Sequence, residues 1–578
     1  MREIHPEDGF KEFVQARRTS PQNLLNQFPA GSEAAQAWLG LIQSHQSDPA
    51  RLAMLQAAYF QQQMALWSEM LGRESAMGGS DSAPAGADAG RDKRFSGRAW
   101  QDSHYHDYLS RAYLLNSRFI NDLVDGAELE APAKQRLRFY MRQLIDAMSP
   151  ANFFATNPEA LQLVLDTRGE SLHAGIRHLI EDMELGRVSM VDESAFEVGR
   201  NLAVTPGEVV YENQLIQLIQ YRPATSKVRK RPLLMVPPCI NKFYILDLQP
   251  ENSFVRYAVE QGNTVFMLSW RNITEDGLSA LTWDDYMAEG VLKAIDVVRA
   301  ITKSETINAL GFCVGGTLLA AALAVLRARG EDRVASVTLL ATMLDFSDTG
   351  DIDVFIDEAS ITAREAAIGK GGILSGKELA FVFSALRAND LVWSYVVNNY
   401  LKGKSPDAFD ILYWNADSTN LPGPMYCWYV RNMYLENRLR QPGALTMCGV
   451  PVDLGAIRLP TYILATREDH IVPWKTAYLS THYLKGDTRF VLGASGHVAG
   501  VINPPAKQRR GYWTYDRLPE NAEDWLAVAA EKRGSWWPDW DAWLREYAGG
   551  ERAAPKNPGN AKYKAIEPAP GRYVKVRV

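Results

Sequence analysis

Cys313 stands in Gly311-Phe312-Cys313-Val314-Gly315-Gly316, between the apolar run 307–310 and the apolar helical run 318–326. That pattern reads as strand, sharp turn and helix, with a nucleophile at the turn. Gly311 and Gly315 allow strand and helix to approach, because neither carries a Cβ. The turn pushes the sulfur outward and sets it near a helix N-terminus, where the positive end of the helix dipole favours thiolate. A small buried core cysteine is the other reading of such a pentapeptide taken by itself. Two later residues weigh against it. Asp469 and His497 follow Cys313 in the order nucleophile, acid, histidine. A free thiol has a pKa of about 8.5, so a nearby base must raise the thiolate fraction. His497 can be that base, and Asp469 can fix its tautomer and stabilise its charged form. The chemistry expected is nucleophilic catalysis by a base-activated cysteine.

The positions of these residues follow from the elements around them. The apolar run 459–466 reads as a strand, and Asp469 comes just after it. Run 489–492 is the next strand, followed by Gly493-Ala494-Ser495-Gly496-His497. Earlier strands are expected at 232–236, 264–268 and 337–341, with a helix over 283–301. Strands alternating with helices of this length imply a parallel sheet with crossover helices. The fold class is therefore α/β: an α/β-hydrolase fold, with nucleophile, acid and histidine at the carboxyl edge of the sheet. Residues 208–221 suggest two strands around a tight Glu-Asn turn, and the domain boundary is placed near 195. Residues 1–195 are read as a mostly helical N-terminal domain, with a flexible Ser/Gly/Ala/Asp stretch at about 75–93. Residues 196–578 form the catalytic domain. Within it, about 345–439 breaks the alternation with aromatics and polar turns. This reads as a cap or lid over the site, or as an ordinary helical extension.

An oxyanion needs two backbone donors. Val314, the residue after the nucleophile, supplies one. Pro237 and Pro238 have no N–H, so Cys239 is the first residue after them that can supply the other. Cys239 as a second nucleophile is the alternative, but it lacks an elbow. Cys427 and Cys448 read as structural. His470, beside Asp469 and before the apolar Ile471-Val472-Pro473, is expected to have a structural or substrate-contact role.

Composition excludes other classes. Across 578 residues the net charge is −6, so no global basic field points to nucleic acid. Hydrophobic residues make up 46% and charged residues 22%, as in an ordinary globular chain. Four widely spaced cysteines make neither a disulfide framework nor a zinc site, and a reducing cytosol is expected. No metal is expected. The first residues lack a signal-peptide core, and no apolar run is long enough for a transmembrane helix. Fifteen Trp and 24 Tyr fit either a core or a surface that meets something greasy. The basic C-terminal tail reads as solvated or as a packed terminal strand.

Four segments together resemble the polyhydroxyalkanoate synthases: Gly311-Phe312-Cys313-Val314-Gly315-Gly316, Pro237-Pro238-Cys239-Ile240-Asn241-Lys242-Phe243-Tyr244-Ile245-Leu246-Asp247, Glu468-Asp469-His470-Ile471-Val472-Pro473-Trp474, and Gly496-His497. Length and the N-terminal region resemble the class I, poly-3-hydroxybutyrate-forming enzymes, and the similarity runs from about residue 95 to the C-terminus. The resemblance implies an acyltransferase that joins (R)-3-hydroxyacyl groups, short-chain ones first, from coenzyme A thioesters into a growing polyester, releasing CoA. It implies no cofactor. It also implies a homodimer, located in the cytoplasm and on polyester granules, with a phasin or other granule-associated protein as partner. Asp247, Arg387 and Trp414 fall in family-like segments, where lid packing, dimer contact and channel lining are all open; a surface salt bridge or a core aromatic is the default reading for each. The resemblance further suggests that Ala499, two residues after His497, tunes the accepted chain length; a small packing residue is the alternative. Whether His497 or Asp469 activates the 3-hydroxyl stays open. The runner-up activity is a thioesterase or esterase of the same fold, and a granule-coating structural protein is a third reading.

Overall fold

The computed structural model describes residues 33–75, 92–274 and 277–578. The stretch at about 75–93, expected to be flexible, falls almost entirely outside them, as do the first 32 residues. The chain forms two compact units. One runs to Ser189 and takes in Asp357–Ser360 and Arg387–Pro406; the other comprises Met190–Ile356, Ile361–Leu386 and Asp407–Val578. Residues 345–439 are thus shared between the two.

The first unit is helical. Its main helices are Glu33–Ser47, Pro49–Ser75, His104–Gly126, Ala131–Ala147, Pro158–Asp166 and Glu170–Leu185. The last two are separate helices. Arg168 and Gly169, both with positive φ, mark the break between them. Tyr59 stacks on Phe119 at 4.4 Å between ring centroids, and Arg111 pairs with Glu69 at 2.7 Å, so Pro49–Ser75 and His104–Gly126 lie side by side.

The second unit is built on an eleven-stranded sheet. In chain order its strands are β1 (Gly207–Glu212), β2 (Ile216–Tyr221), β3 (Leu233–Val236), β4 (Val265–Trp270), β5 (Ile307–Phe312), β6 (Val334–Leu340), β7 (Thr461–Thr466), β8 (Thr488–Gly493), β9 (Gly511–Thr514), β10 (Ala530–Arg533) and β11 (Glu567–Pro568). Their spatial order is β10-β9-β8-β7-β6-β5-β3-β4-β2-β1-β11. The six from β8 to β4 run parallel. Covered on both faces, such strands read as continuous apolar runs, and every residue of β3, β4, β5 and β7 is buried. The expected hairpin at 208–221 is β1–β2; Asn213 makes its turn by accepting the amide protons of Leu215 and Ile216.

The C-terminal tryptophans belong to the core. Trp536, Trp537 and Trp540 are buried, and each indole N–H is satisfied: by Gly500 O at 3.1 Å, Val501 O at 3.0 Å and Thr338 Oγ1 at 3.0 Å. Each such ring removes about 150–250 Å² from water, worth roughly 4–6 kcal/mol before entropy is charged against it. The C-terminal tail also packs. Its short β11 pairs with β1, and the carbonyl of Val576 accepts from Lys242 Nζ at 2.8 Å.

Candidate active site

The parallel strands bring their carboxyl ends to one edge of the sheet, where loops gather in an open α/β sheet. The loops after β3, β5, β6, β7 and β8 carry Cys239, Cys313, Thr342, Asp469 and His497 respectively.

Cys313 sits between β5 and the helix Val314–Ala328 with φ 54 and ψ −129, a conformation that L-residues rarely adopt. Close packing enforces it. A Cβ on Gly311 would lie 2.4 Å from Gly316 Cα, and one on Gly315 would lie 2.4 Å from the Val236 carbonyl oxygen. The glycines therefore let the helix enter directly against β5 and β3, and the strained residue at the junction aims its sulfur off the sheet edge. Thr342 Oγ1 donates to the Cys313 carbonyl at 3.3 Å, tying the loop after β6 to the same turn.

His497 Nδ1 lies 2.8 Å from Asp469 Oδ2. Asp469 also accepts from Thr466 Oγ1 at 2.9 Å, Ile471 N at 2.9 Å and Val472 N at 2.8 Å. Burial alone would raise the carboxyl's pKa. The charge of His497 and these donors outweigh it and hold the pKa below the ordinary aspartate value. Burial likewise pushes the His497 imidazole down, but the charges of Asp469 and of the Cys313 sulfur push harder, and its pKa stands well above the usual histidine value. The Phe312 ring stacks on His497 at 5.5 Å, and Trp536 and Trp537 hold the backbone just beyond it. Sulfur, imidazole and carboxylate are thus brought together by three loops.

Val314 opens the helix after Cys313, and Cys239 lies buried on the loop after β3, with its carbonyl accepting from Thr419 Oγ1 at 2.8 Å. Burial, and less strongly the neighbouring Cys313, drive the Cys239 thiol far above its ordinary pKa, so this sulfur is a poor nucleophile. Cys427 is buried, and the Cys448 thiol contacts the Asp284 carbonyl at 3.7 Å.

Family models match the chain in two blocks: the N-terminus of poly-β-hydroxybutyrate polymerase over residues 91–258, and the α/β hydrolase fold over 232–504. The poly(3-hydroxyalkanoate) polymerase subunit of Cupriavidus necator is 57% identical over 534 residues, 92% of this chain and 89% of that protein. The chain belongs to the poly(3-hydroxyalkanoate) polymerase family. The poly(3-hydroxyalkanoate) polymerase of Methylorubrum extorquens is 43% identical over 94% of this chain and 89% of its own length. The Rhizobium meliloti polymerase subunit is 41% identical over 94% and 88%.

The other residues singled out from the polymerase's sequence have different surroundings. Asp247 is buried, accepting from Thr205 Oγ1 at 2.5 Å and Ser253 Oγ at 2.6 Å; burial raises its pKa to about 6 against these two donors. It ties loops together, and no hydrogen bond joins it to Cys313, Asp469 or His497. Trp414 is buried in the same core that Cys313 packs against, and its indole donates to the Lys242 carbonyl at 2.7 Å. Beside it, Lys242 and Asp417 form a buried ion pair at 2.8 Å. Arg387 belongs to the helical unit, where it is exposed and paired with Asp390. His470 is partly buried next to Asp469, and Ala499 is partly exposed, its carbonyl taken by Arg510.

Two residues at the site escaped sequence reasoning. Tyr429 ends the helix Gly423–Tyr429, and Tyr434 lies on the π-helical turn Val430–Leu435 that continues it. Both feel the charge of the Cys313 sulfur. The one signal in the sequence was their spacing of five, which faces a single direction only on a π-helix.

Proposed function

We propose that Cys313 is the acyl-carrying nucleophile of this polymerase, with His497 its base and Asp469 the group that orients His497. The observation that carries the reading is the buried 2.8 Å contact between His497 and Asp469, with the imidazole also under the influence of the strained Cys313. As a poly(3-hydroxyalkanoate) polymerase, the chain converts hydroxyacyl-CoA into polyester. In our reading His497 takes the Cys313 proton as the sulfur attacks the thioester carbonyl. The amides of Val314 and Cys239 receive the oxyanion; one such donor is typically worth about 2.7–4 kcal/mol in the transition state. The tetrahedral intermediate collapses, CoA thiolate leaves with the proton from His497, and the acyl group remains on sulfur. A 3-hydroxyl, deprotonated by His497, then attacks that thioester carbonyl; the ester bond forms as the bond from the acyl carbon to the Cys313 sulfur breaks, and the proton on His497 returns to the released Cys313 thiolate. A thioester stays activated enough for this second transfer, which a serine ester would do poorly.

Attack by a hydroxyl must outrun hydrolysis. The insertion at about 345–439 is the material we assign to excluding water, acting as a cap on the catalytic domain from about residue 196 onward. Orientation supplies effective molarities of about 10⁵ M or more when the geometry is held. The helical N-terminal domain, to about residue 195, is assigned to assembly and granule attachment; a homodimer and a phasin-type partner are the associations we expect, on granules in the cytoplasm. Exposed Met54, Phe60, Met64 and Trp67 on the helix Pro49–Ser75 support an apolar contact there. The decisive assay follows CoA release together with insoluble polymer and soluble 3-hydroxy acid from (R)-3-hydroxybutyryl-CoA. Polymer matching the CoA released supports the reading. Mostly free acid would support a thioesterase.

A further inference from the structure

Tyr434 occupies an unusual place for a phenol. Its ring is fixed on two sides, edge-on to Phe346 at 4.9 Å and perpendicular to Tyr429 at 5.5 Å, while Tyr429 stacks flat on Trp283 at 5.0 Å. Phe346 and Trp283, with Val314 and Cys239, belong to one packed cluster, and both tyrosines lean against it. Phe346 follows β6, the strand beside β5, so the loop next to the Cys313 turn holds Tyr434. Thr317 Oγ1, one turn into the helix after Cys313, donates to the Met343 carbonyl at 2.9 Å, which fixes the segment leading to Phe346. The pair's own backbone is anchored three residues on. Asn437 Nδ2 donates to Asp345 Oδ1 at 2.8 Å, and the Phe346 amide donates to Asn437 Oδ1 at 2.9 Å. Despite this packing Cys313, Tyr429 and Tyr434 each keep partial solvent access.

We infer that Tyr434 is a specificity-determining residue, its hydroxyl donating a hydrogen bond to the 3-hydroxyl of the acyl group held at Cys313. The inference rests on Cys313 being the acylated residue. Burial, and next the charge of the Cys313 sulfur, push the Tyr434 phenol far above its ordinary pKa, so it keeps its proton and acts as a donor at any working pH. Tyr429 is its hydroxyl neighbour and polarises it. The rigid aromatic setting fixes the direction of that donor, as a residue that reads configuration at one carbon requires. A site built to hydrogen-bond a hydroxyl discriminates against the analogue lacking it, because the donor then loses its acceptor.

The test is single-turnover acylation of the full-length protein, read as CoA release, with three probes: (R)-3-hydroxybutyryl-CoA, (S)-3-hydroxybutyryl-CoA and butyryl-CoA. Wild type should favour the (R)-hydroxy substrate over both others by about tenfold or more. Tyr434→Phe should bring the three rates to within about threefold of one another, mainly by slowing the (R) substrate, with butyryl-CoA acylation slowed far less. Tyr429→Phe should narrow the preference less. A structural role would slow all three probes alike and leave the ratios as in wild type; that result overturns the inference. Failure of the underlying reading looks different, since Cys313→Ala would then still release CoA from butyryl-CoA.

Discussion

His497 Nδ1 and Asp469 Oδ2 lie 2.8 Å apart with the carboxylate side chain closed to solvent, so one ring nitrogen is committed to the carboxylate and Nε2 is left for chemistry. The pairing has a sign. Asp469 raises the imidazole pKa, whereas burial alone would lower it. Acylation that needs neutral His497 should therefore rise with pH along an acid limb lying above the ordinary histidine value of about 6.5. Asp469→Asn removes the charge, and the limb should move to lower pH while the plateau falls about 10²–10⁴-fold. Single-turnover CoA release between pH 5 and 9 measures both. A limb that stays put would mean that Asp469 does not set the protonation of His497.

The turn at Cys313 depends on space that only glycine leaves. Gly315→Ala would place a methyl 2.4 Å from the Val236 carbonyl oxygen and 2.5 Å from that of Pro237. The backbone leading to Cys239 would have to move, at a cost of about 1–3 kcal/mol. We expect a lower Tm and a fall in CoA release far larger than that loss of stability explains. Thermal denaturation and steady-state turnover on the same preparation decide it. Near wild-type turnover would show that the approach of helix to β3 does not position the site.

Much of this arrangement is legible in the sequence. β3, β5 and β7 are fully buried, so their residues form unbroken apolar runs, and the chemistry follows immediately after strand ends. The glycines around Cys313 signal the close approach that the structure contains. Edge strands are less legible: β10 is Ala-Glu-Lys-Arg, entirely exposed, and its pairing with β9 leaves no pattern of burial to read. Non-local geometry is less legible still. Trp414 looks like a lid aromatic, yet it is buried and bound to Lys242. The tryptophans at 536, 537 and 540 suit a greasy surface as well as a core, until the three carbonyl and hydroxyl partners of their indoles are known. Tyr429 and Tyr434 pack ring to ring where the helix widens into a π-turn, and their spacing of five is the one faint sign of it in the sequence.

Those tryptophans support His497 from behind. Trp536→Phe keeps an aromatic ring but leaves a small cavity and orphans the buried Gly500 carbonyl, the lost hydrogen bond alone costing about 1–3 kcal/mol. Turnover should fall while KM changes little, because the substituted residue acts through the orientation of His497. A change confined to KM would point to a substrate contact instead.

The Lys242–Asp417 ion pair and the Trp414 indole tether the insertion's helix Asp410–Ala416 to the loop that carries Cys239. Trp414→Ala should destabilise the protein by about 3–5 kcal/mol and raise the share of soluble 3-hydroxy acid relative to polymer at equal CoA released. Lost rate with an unchanged product ratio would mean that this tether does not keep water from the acyl group.

The central claim is that the acyl group rides on the Cys313 sulfur. Wild type given one equivalent of (R)-3-hydroxybutyryl-CoA, quenched in acid, digested and read by mass spectrometry tests it directly. A hydroxybutyryl adduct on the peptide containing Cys313, lost in Cys313→Ala and retained in Cys239→Ala, is the predicted result. An adduct on Cys239, or CoA release that persists in Cys313→Ala, would contradict it.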